Sequence, residues 1–215
     1  DPRVQNAIPL SDFDNLQPTY QFLKALVRSY PDIRFDKDKL LIVSPDEGGM
    51  GRCMYYSSVL GLDLGMFYKR RDYSVVIDGK NPIVSHRWLG SDVEGKDVII
   101  VDDMIASGES MIDVACKLKS MGARQIFIFT TFGLFVAGPG KFDEAYKSGI
   151  FTRIFTTNLT YRPDEITSRE WYCEVNMAKY LAYIIDAINE ECSLSEMFDP
   201  YKKIKQLLAV HRGRA

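Results

Sequence analysis

The sequence contains little of what membrane-spanning, secreted or nucleic-acid-binding proteins are built from. No apolar run approaches the length that a membrane-spanning helix needs, and no signal peptide is recognisable. The formal net charge is only -2, so an overall electrostatic attraction to nucleic acid is not expected. These features agree with a cytoplasmic enzyme domain, and neither a membrane nor a nucleic acid is expected as a partner.

Cysteine and histidine are too few and too scattered for a metal centre or a catalytic triad. The chain lacks the paired cysteine spacing of zinc sites, and we expect buried, reduced thiols at Cys53, Cys116, Cys173 and Cys192. His86 and His211 lie in no metal or triad motif. A Gly-x-x-x-x-Gly-Lys loop is also missing, so any ATP must be bound in another way.

The most informative stretch that is present covers residues 98–110. It begins with the aliphatic run 98–101, which predicts a strand buried on both faces. Asp102 and Asp103 follow where that strand is expected to end, and a short loop of small residues comes next. From Met111 onward, apolar residues at helical spacing predict a helix with one buried face.

This order of strand, acidic pair, loop and helix favours a site for a sugar phosphate. A loop that leads into a helix offers free N–H groups and a positive dipole to an anion. Ser107 and Ser110 add hydroxyl donors. Asp102 and Asp103 cannot bind an anion directly, so they require hydroxyl groups or a metal ion as partners. An ordinary loop between a strand and a serine-capped helix is the alternative.

A second strand, loop and helix occupy residues 40–60. The apolar run 40–43 is followed by paired glycines, Gly48 and Gly49, which let backbone amides approach a ligand closely. Arg52 can contact a phosphate through two N–H groups, and Asp46 can hold a divalent cation that bridges phosphates. The alternative is a glycine-rich turn before a helix.

A third segment is the basic run Lys69–Arg71, which follows a predicted strand at 64–68. Three consecutive cations usually form a solvated surface patch. Catalysis of phosphoryl-type transfer instead needs positive charge where negative charge develops. Residues 72–94 have few helix signals, and they favour a flap or a β-hairpin.

Together these segments resemble the ribose-phosphate pyrophosphokinases, also called phosphoribosyl pyrophosphate synthetases. Val-Asp-Asp-Met-Ile at 101–105 and Ser-Gly-Glu-Ser at 107–110 are similar to the ribose-phosphate loop that these enzymes share with phosphoribosyltransferases. Ser-Pro-Asp-Glu-Gly-Gly at 44–49 resembles the pyrophosphate loop of the synthetases, where transferases generally carry a shorter one. Lys-Arg-Arg at 69–71 resembles the start of their mobile catalytic loop.

The resemblance implies an α/β fold of the phosphoribosyltransferase type, with a mostly parallel sheet flanked by helices. It covers nearly the whole chain but only the C-terminal half of a synthetase, so we expect one domain over residues 1–215 and an absent N-terminal half. A flexible loop is expected within 69–94 and a helical extension within 200–215. Apolar patterns predict further strands at 124–131, 152–158 and 171–175, and helices at 20–27, 141–147, 177–188 and 201–210.

For the helix predicted at 177–188, the pattern also predicts which face is buried. We expect five residues of this helix to point inward: Ala178, Leu181, Ala182, Ile185 and Ile188.

The resemblance further implies a reaction, a cofactor and a set of roles. The enzyme would transfer diphosphate from ATP to ribose 5-phosphate, with Mg²⁺, giving phosphoribosyl pyrophosphate and AMP, and it would form a homo-oligomer. By this resemblance, Ser107, Gly108 and Ser110 would bind the 5-phosphate, and Asp102 and Asp103 would bind the ribose hydroxyls or a metal-bound water. Asp46 would hold Mg²⁺, and Gly48, Gly49 and Arg52 would bind the diphosphate. Lys69 and Arg71 would stabilise the transition state.

Two departures from the family pattern leave other functions open. Ala106 stands where many members have Asp, and Glu109 stands where many have Gly, next to the expected phosphate site. A phosphoribosyltransferase that consumes the same product is one alternative, and a non-catalytic regulatory homologue of the synthetase is another. We expect the isolated chain to bind ribose 5-phosphate and to make little product, because the adenine site and the metal-binding histidine of the family are not in this sequence.

Overall fold

A computed structural model describes residues 6–8, 13, 15–71, 83–195 and 200–212. Its strands are β1 (Leu40–Ser44), β2 (Asp63–Arg71), β3 (Ile83–Leu89), β4 (Asp97–Ile105), β5 (Ile126–Gly133), β6 (Arg153–Thr157) and β7 (Tyr172–Val175). Its helices are α1 (Thr19–Ser29), α2 (Met50–Leu60), α3 (Glu109–Ser120), α4 (Gly140–Lys147), α5 (Asp164–Thr167), α6 (Ala178–Asn189) and α7 (Tyr201–Arg212).

The strands pair into one sheet in the order β3-β2-β1-β4-β5-β6-β7. Only β3 runs antiparallel to its neighbour, and every other pair is parallel. The chain moves outward in one direction from β1 through α2 to β2, and in the opposite direction from β4 through α3 to β5. The two central strands β1 and β4 therefore flank a point where the strand order reverses, which is where open α/β sheets bind ligands.

Helices cover both faces of the sheet because the central strands are apolar on both sides. Val98 and Ile100 pack into the apolar cluster that contains α3 and α4. Ile99 and Val101 point the other way, into the cluster that contains α1, α2 and α7. Side chains alternate along a strand, so a continuous aliphatic run supplies two hydrophobic layers at once. The predicted fold class, a mostly parallel sheet flanked by helices, is confirmed.

Strand β4 is longer than the apolar pattern predicts. The ladder with β5 continues through Asp102, which is paired with Thr130, and reaches Ile105, which is paired with Gly133. The acidic pair therefore lies within the strand and not after it. Main-chain pairing does not depend on side-chain hydrophobicity, so it extends past the point where the aliphatic run stops.

Strand β2 is also longer than predicted, and it includes the basic run. Residues 69–71 belong to β2, where Lys69 is paired with His86 and Arg71 with Ile83 of β3, with a register irregularity between Arg70 and Arg71. The antiparallel pairing of β2 with β3 is that of a β-hairpin, which is one of the two structures predicted for residues 72–94. Residues 72–82 and the side chains of Lys69 and Arg71 lie outside the described part of the structure.

The predicted inward face of α6 is wrong. Ile184 and Ala187 are the buried residues of this helix, whereas Ile185 and Ile188 are 67% and 62% exposed. Ala178 and Ala182 are exposed as well, and Leu181 is only partly buried. Apolar residues surround most of this helix, so its pattern admits two faces, and the buried face is the one that the pattern did not favour.

Helix α7 packs against the rest of the fold. Ile204 and Leu208 are buried in the same cluster as α1 and α2. His211 is also buried, and its Nε2 lies 2.6 Å from the carbonyl oxygen of Ile33. This histidine therefore anchors the end of α7. Among the described residues, no helix is long and apolar enough to cross a membrane.

Candidate active site at the centre of the sheet

The β1–α2 loop, residues 45–49, folds around Asp46. The Asp46 carboxylate accepts a hydrogen bond from the backbone N–H of Gly49 at 3.1 Å, and the Asp46 carbonyl oxygen accepts one from the Ser44 hydroxyl at 2.6 Å. A Cβ atom at Gly49 would lie 2.8 Å from that hydroxyl oxygen. The glycine therefore allows the loop to close over Ser44, and this closure brings Asp46 to the beginning of α2.

The β4–α3 loop, residues 106–108, depends on Gly108. This glycine has a φ of +84° and caps α3, and a Cβ atom here would lie 2.0 Å from the Phe142 ring. Both features require glycine. The first hydrogen bond within the helix runs from the Ile112 N–H to the Gly108 carbonyl, so the N–H groups of the first turn are not used by the helix and are available to an anion.

Ser110 lies in α3 and not in the loop where the sequence predicts it. The apolar pattern begins only at Met111, so it could not place the first turn of the helix. Both Ser110 and Ser107 nevertheless lie at the positive end of α3, and neither hydroxyl has a hydrogen-bond partner among the described residues.

The two loops form opposite walls of one cleft of about 360 Å³. They are brought together because β1 and β4 are neighbours and both run toward this edge of the sheet. The cleft is lined by every binding residue that the sequence predicts: Asp46, Gly48, Gly49, Arg52, Asp102, Asp103, Ser107, Gly108 and Ser110. Sequence reasoning did not assign the other lining residues: Pro45, Met104, Ile105, Ala106 and Met111.

Arg52 connects the two walls. Its guanidinium lies 3.4 Å from a carboxylate oxygen of Asp102 and 3.4 Å from one of Asp103. The sequence predicts Arg52 as a diphosphate contact and gives no sign of this pairing, because the residues are 50 positions apart. These separations are long for ion pairs, so a phosphate group that enters the cleft can compete for the same guanidinium.

The acidic pair is held by its own backbone. The Asp102 carboxylate accepts a hydrogen bond from the Asp103 N–H at 2.9 Å, and the Asp103 carboxylate accepts one from the Met104 N–H at 2.7 Å. Burial raises the pKa of Asp102 from 3.8 to about 6, the charges of Asp103 and Asp46 also raise it, and Arg52 opposes them. Asp102 therefore titrates close to neutral pH, which is frequent for residues of functional sites.

The cysteine nearest to the cleft is structural. The Cys53 thiol lies behind the cleft wall, 3.5 Å from the Val43 carbonyl and 3.4 Å from the Val101 carbonyl. Burial raises its pKa to about 11, so it stays protonated and donates to these carbonyls. All 4 cysteines are free, but Cys116 and Cys192 are exposed. The expectation of a buried thiol is wrong for these two, because they lie on the solvent side of α3 and after α6.

Among the described residues, no group of three or more His, Cys, Asp or Glu side chains could hold a metal ion alone. The cleft nevertheless contains oxygen donors of the kind that Mg²⁺ prefers. Its three carboxylates, from Asp46, Asp102 and Asp103, are hard oxygen donors that face the same space. Mg²⁺ is commonly held by one or two carboxylates together with substrate phosphates and water.

The two residues that depart from the family pattern, Ala106 and Glu109, lie in different places. Ala106 lines the cleft, whereas Glu109 is not among the lining residues. Glu109 forms an ion pair with Lys141 of α4. Neither Lys141 nor Phe142, which presses on Gly108, could be assigned to the site from sequence, because α4 begins some thirty residues after the loop.

Comparisons with known proteins agree with this architecture. A model of the phosphoribosyl transferase domain matches residues 13–164. A ribose-phosphate pyrophosphokinase from Vibrio parahaemolyticus is 31% identical over 163 residues, which are 75% of this chain and 49% of that protein. The enzyme of the same name from Ureaplasma parvum is 34% identical over 143 residues, 66% of this chain and 40% of that protein. The chain thus spans about half the length of the curated relatives it matches, or less.

A solved structure has the same fold. A phosphoribosylpyrophosphate synthetase from Mycobacterium smegmatis superimposes with a TM-score of 0.62, at 24% identity, over 80% of this chain and 51% of that one. The domain match extends from α1 through both loops to the start of α5, and it includes every described residue assigned above to the cleft. The resemblance drawn from the three motifs is confirmed, and the chain belongs to the phosphoribosyl transferase domain family.

Proposed function

We propose that this chain supplies the ribose 5-phosphate and diphosphate side of a ribose-phosphate diphosphokinase site. The observation that carries the proposal is the single cleft between β1 and β4, where one wall offers a helix N-terminus with two serines and the other offers Asp46 and Arg52. The similarity to ribose-phosphate pyrophosphokinases supports the same reaction class.

In the proposed reaction the anomeric hydroxyl of ribose 5-phosphate attacks the β-phosphorus of ATP. The bond between that phosphorus and the oxygen that bridges it to the α-phosphate breaks, AMP leaves, and the hydroxyl proton is lost. Bound Mg²⁺ would neutralise phosphate charge, and Asp46 is the residue best placed to hold it. Positioning and electrostatic stabilisation are the main contributions that a protein makes to such a transfer.

The two walls of the cleft then have separate tasks. The free N–H groups of α3, with Ser107 and Ser110, bind the 5-phosphate, and the carboxylates of Asp102 and Asp103 accept hydrogen bonds from the ribose hydroxyls. Backbone amides at Gly48 and Gly49 approach the diphosphate, and Arg52 moves from the acidic pair to the diphosphate when it binds. Lys69 and Arg71, on the neighbouring strand β2, stay predicted to stabilise the transition state.

Calorimetry with the 215-residue chain tests the proposal. We expect ribose 5-phosphate to bind and ribose without phosphate to bind far more weakly, because the helix N-terminus recognises the anion. We also expect this chain alone to form little AMP and to assemble as a homo-oligomer. Absence of ribose 5-phosphate binding, or robust AMP formation by the isolated chain, would contradict the proposal.

A non-catalytic, phosphate-binding homologue is the second candidate. The observation that favours it is Ala106, which lines the cleft without the carboxylate that many family members have there. Ala106→Asp separates the two candidates. A large gain in AMP formation over the low level expected of the parent chain, with unchanged ribose 5-phosphate affinity, would favour a homologue that has lost catalysis, and no gain would count against this second candidate.

A further inference from the structure

A second groove lies outside the cleft, where α1, the end of β7, α6 and the start of α7 come together. Its volume is about 470 Å³, compared with about 360 Å³ for the cleft, and small-molecule sites usually fall in this range. Among the described residues, none lines both spaces. The groove is therefore a separate place where this chain can hold a ligand.

Four cationic side chains line this groove. Lys24 and Arg28 lie one turn apart on the same side of α1. Lys179 is the second residue of α6, and Lys203 is the third residue of α7. Within the part of the chain that the structure describes, none of these four cations forms an ion pair with a carboxylate. Three helices thus bring positive charge to one groove of a chain whose formal net charge is -2.

Two of these lysines are oriented by tyrosines of the same groove. The Lys24 ammonium group lies 5.9 Å from the ring centroid of Tyr20, and the Lys179 ammonium group lies 5.5 Å from that of Tyr183. Both tyrosines also line the groove. A cation–π contact attracts an ammonium group without cancelling its charge. The two lysines are therefore positioned in advance, while their charge stays available to an anion.

The described lining of the groove contains a single carboxylate, and another cation already binds it. Glu174 of β7 lines the groove, and its carboxylate lies 3.2 Å from the guanidinium of Arg162. Arg162 is not among the described lining residues. Because Glu174 has this partner, it competes little with a ligand for the four cations.

Lys179 and Lys203 lie at positions that are unfavourable for helix stability. Each is in the first turn of its helix, where the helix dipole repels a cation, and neither first turn contains an acidic residue. Core packing does not require these two side chains, since both residues are exposed. An anion in the groove would be attracted by both lysines and by the positive ends of both helices.

We propose that this groove binds a small polyanion that carries two or more adjacent phosphate groups. Several converging cations match a ligand whose charge is concentrated in a small volume, and a concave space of this size encloses a small molecule rather than an extended chain. The site does not depend on the proposed function, because the cleft and the groove have no described lining residue in common.

Calorimetry with inorganic tripolyphosphate tests the site. The titrations use Arg52→Ala as the starting protein and contain no Mg²⁺, so that the cleft binds little of the probe. Lys24→Ala and Lys203→Ala, each added to this protein, should raise the dissociation constant about fivefold. Lys202→Ala is the matched control, because Lys202 is the exposed neighbour of Lys203 on α7 and does not line the groove. Its removal should change the constant by less than about twofold.

A structural role and an unspecific attraction give different results. Urea denaturation should show that Lys203→Ala does not lower the free energy of unfolding, because this lysine opposes the α7 dipole. Weaker binding that accompanies a loss of stability would overturn the proposal. So would the absence of tripolyphosphate binding, or equal effects of Lys202→Ala and Lys203→Ala, which would show adventitious attraction to exposed charges only.

Two further ligands test the ligand class and separate this site from the proposed function. A short glutamate-rich peptide should bind less tightly than tripolyphosphate, and equal or tighter binding of the peptide would overturn the assignment to a small molecule. Ribose 5-phosphate should bind Lys24→Ala and Lys203→Ala within about twofold of its affinity for the parent chain. If the parent chain binds tripolyphosphate in the groove but does not bind ribose 5-phosphate, the proposed function fails and this inference stands.

Discussion

The β1–α2 loop and the β4–α3 loop leave neighbouring strands at the same edge of the sheet, and they are held in different ways. The first is closed by side-chain hydrogen bonds around Asp46 and contributes charged groups to the cleft. The second is held by the backbone conformation of Gly108 and by the Phe142 ring beneath it. It contributes N–H groups and hydroxyls.

Under the proposed function, this difference would allow one cleft to hold two kinds of phosphate. Charged side chains can move between partners, and Arg52 already contacts the opposite wall. N–H groups at a helix end cannot move without unfolding the turn. We therefore expect a rigid site for the 5-phosphate, which must be bound in one place, and an adaptable site for the diphosphate, which changes its bonds in the reaction.

The largest expected effect is on the stability of the rigid loop. Gly108→Ala forces a positive φ on alanine and places Cβ against Phe142, so the free energy of unfolding should fall by about 3 kcal/mol. Gly49→Ala meets only the Ser44 hydroxyl, in an α-helical backbone conformation, and should cost about 1 kcal/mol. Urea denaturation of both variants measures the difference.

Gly51→Ala is the control for these two substitutions. Gly51 lies inside α2 with open space around its Cβ position, so alanine should stabilise the protein by about 0.5–1 kcal/mol. Equal losses of stability in Gly108→Ala and Gly49→Ala would remove the distinction between a rigid and an adaptable loop.

The next effect concerns Arg52, which lies in the first turn of α2 next to the adaptable loop. Arg52→Ala should weaken pyrophosphate binding by about 2 kcal/mol, or roughly thirtyfold, because a charge-assisted contact to phosphate is lost. Arg52→Lys keeps the charge without the two-pronged geometry and should recover only part of the affinity. Titration with pyrophosphate in the presence of Mg²⁺ measures both, and a full recovery by lysine would show that charge alone matters.

A smaller effect should appear in the pH dependence of stability. Burial raises the pKa of Asp102 to about 6, above its ordinary value of 3.8, so the folded state holds this proton more tightly than the unfolded state does. The resulting stability is full below about pH 4 and is lost as the pH rises through about 6. Asp102→Asn, which is neutral at every pH, should therefore stabilise the protein by about 1 kcal/mol at pH 8.

The stabilising effect of Asp102→Asn should disappear near pH 4, where the native carboxyl group is also neutral. Chemical denaturation at both pH values measures the change. Asp103→Asn is the comparison within the same pair, because its carboxyl group is more exposed. A destabilising effect of Asp102→Asn at pH 8 would show that the contact with Arg52 outweighs the cost of burial.

The smallest single effects on affinity are expected at the two serines near the positive end of α3, one in the loop and one in the helix. Ser107→Ala and Ser110→Ala each remove one hydroxyl donor, so each should weaken ribose 5-phosphate binding by about 1 kcal/mol, or roughly fivefold. Ser120→Ala, at the far end of α3, is the matched control and should have no effect on affinity.

The sequence predicts the fold and the cleft well because their signals are local. Aliphatic runs identify the two central strands, and glycines followed by helical patterns identify the loops. Because β1 and β4 are neighbours in the sheet, the two loops that follow them must lie side by side. Local patterns could not give the end of β4, because main-chain pairing continues through Asp102 and Asp103.

Features set by tertiary contacts were not accessible from the sequence. The contact of Arg52 with the acidic pair and that of Lys141 with Glu109 join residues far apart in the chain. The buried face of α6 was predicted wrongly because its apolar residues surround the helix, so the local pattern does not distinguish Ile184 from Ile185. Side-chain roles at Lys69 and Arg71 stay predictions.

The proposed function requires the two walls of the cleft to bind different phosphates of one substrate pair. Its most direct test is to titrate Arg52→Ala and the double variant Ser107→Ala/Ser110→Ala with ribose 5-phosphate and, separately, with pyrophosphate and Mg²⁺. We expect Arg52→Ala to lose pyrophosphate affinity with a change of less than about threefold for ribose 5-phosphate, and the double serine variant to show the reverse. Equal losses for both ligands in both proteins would contradict the claim.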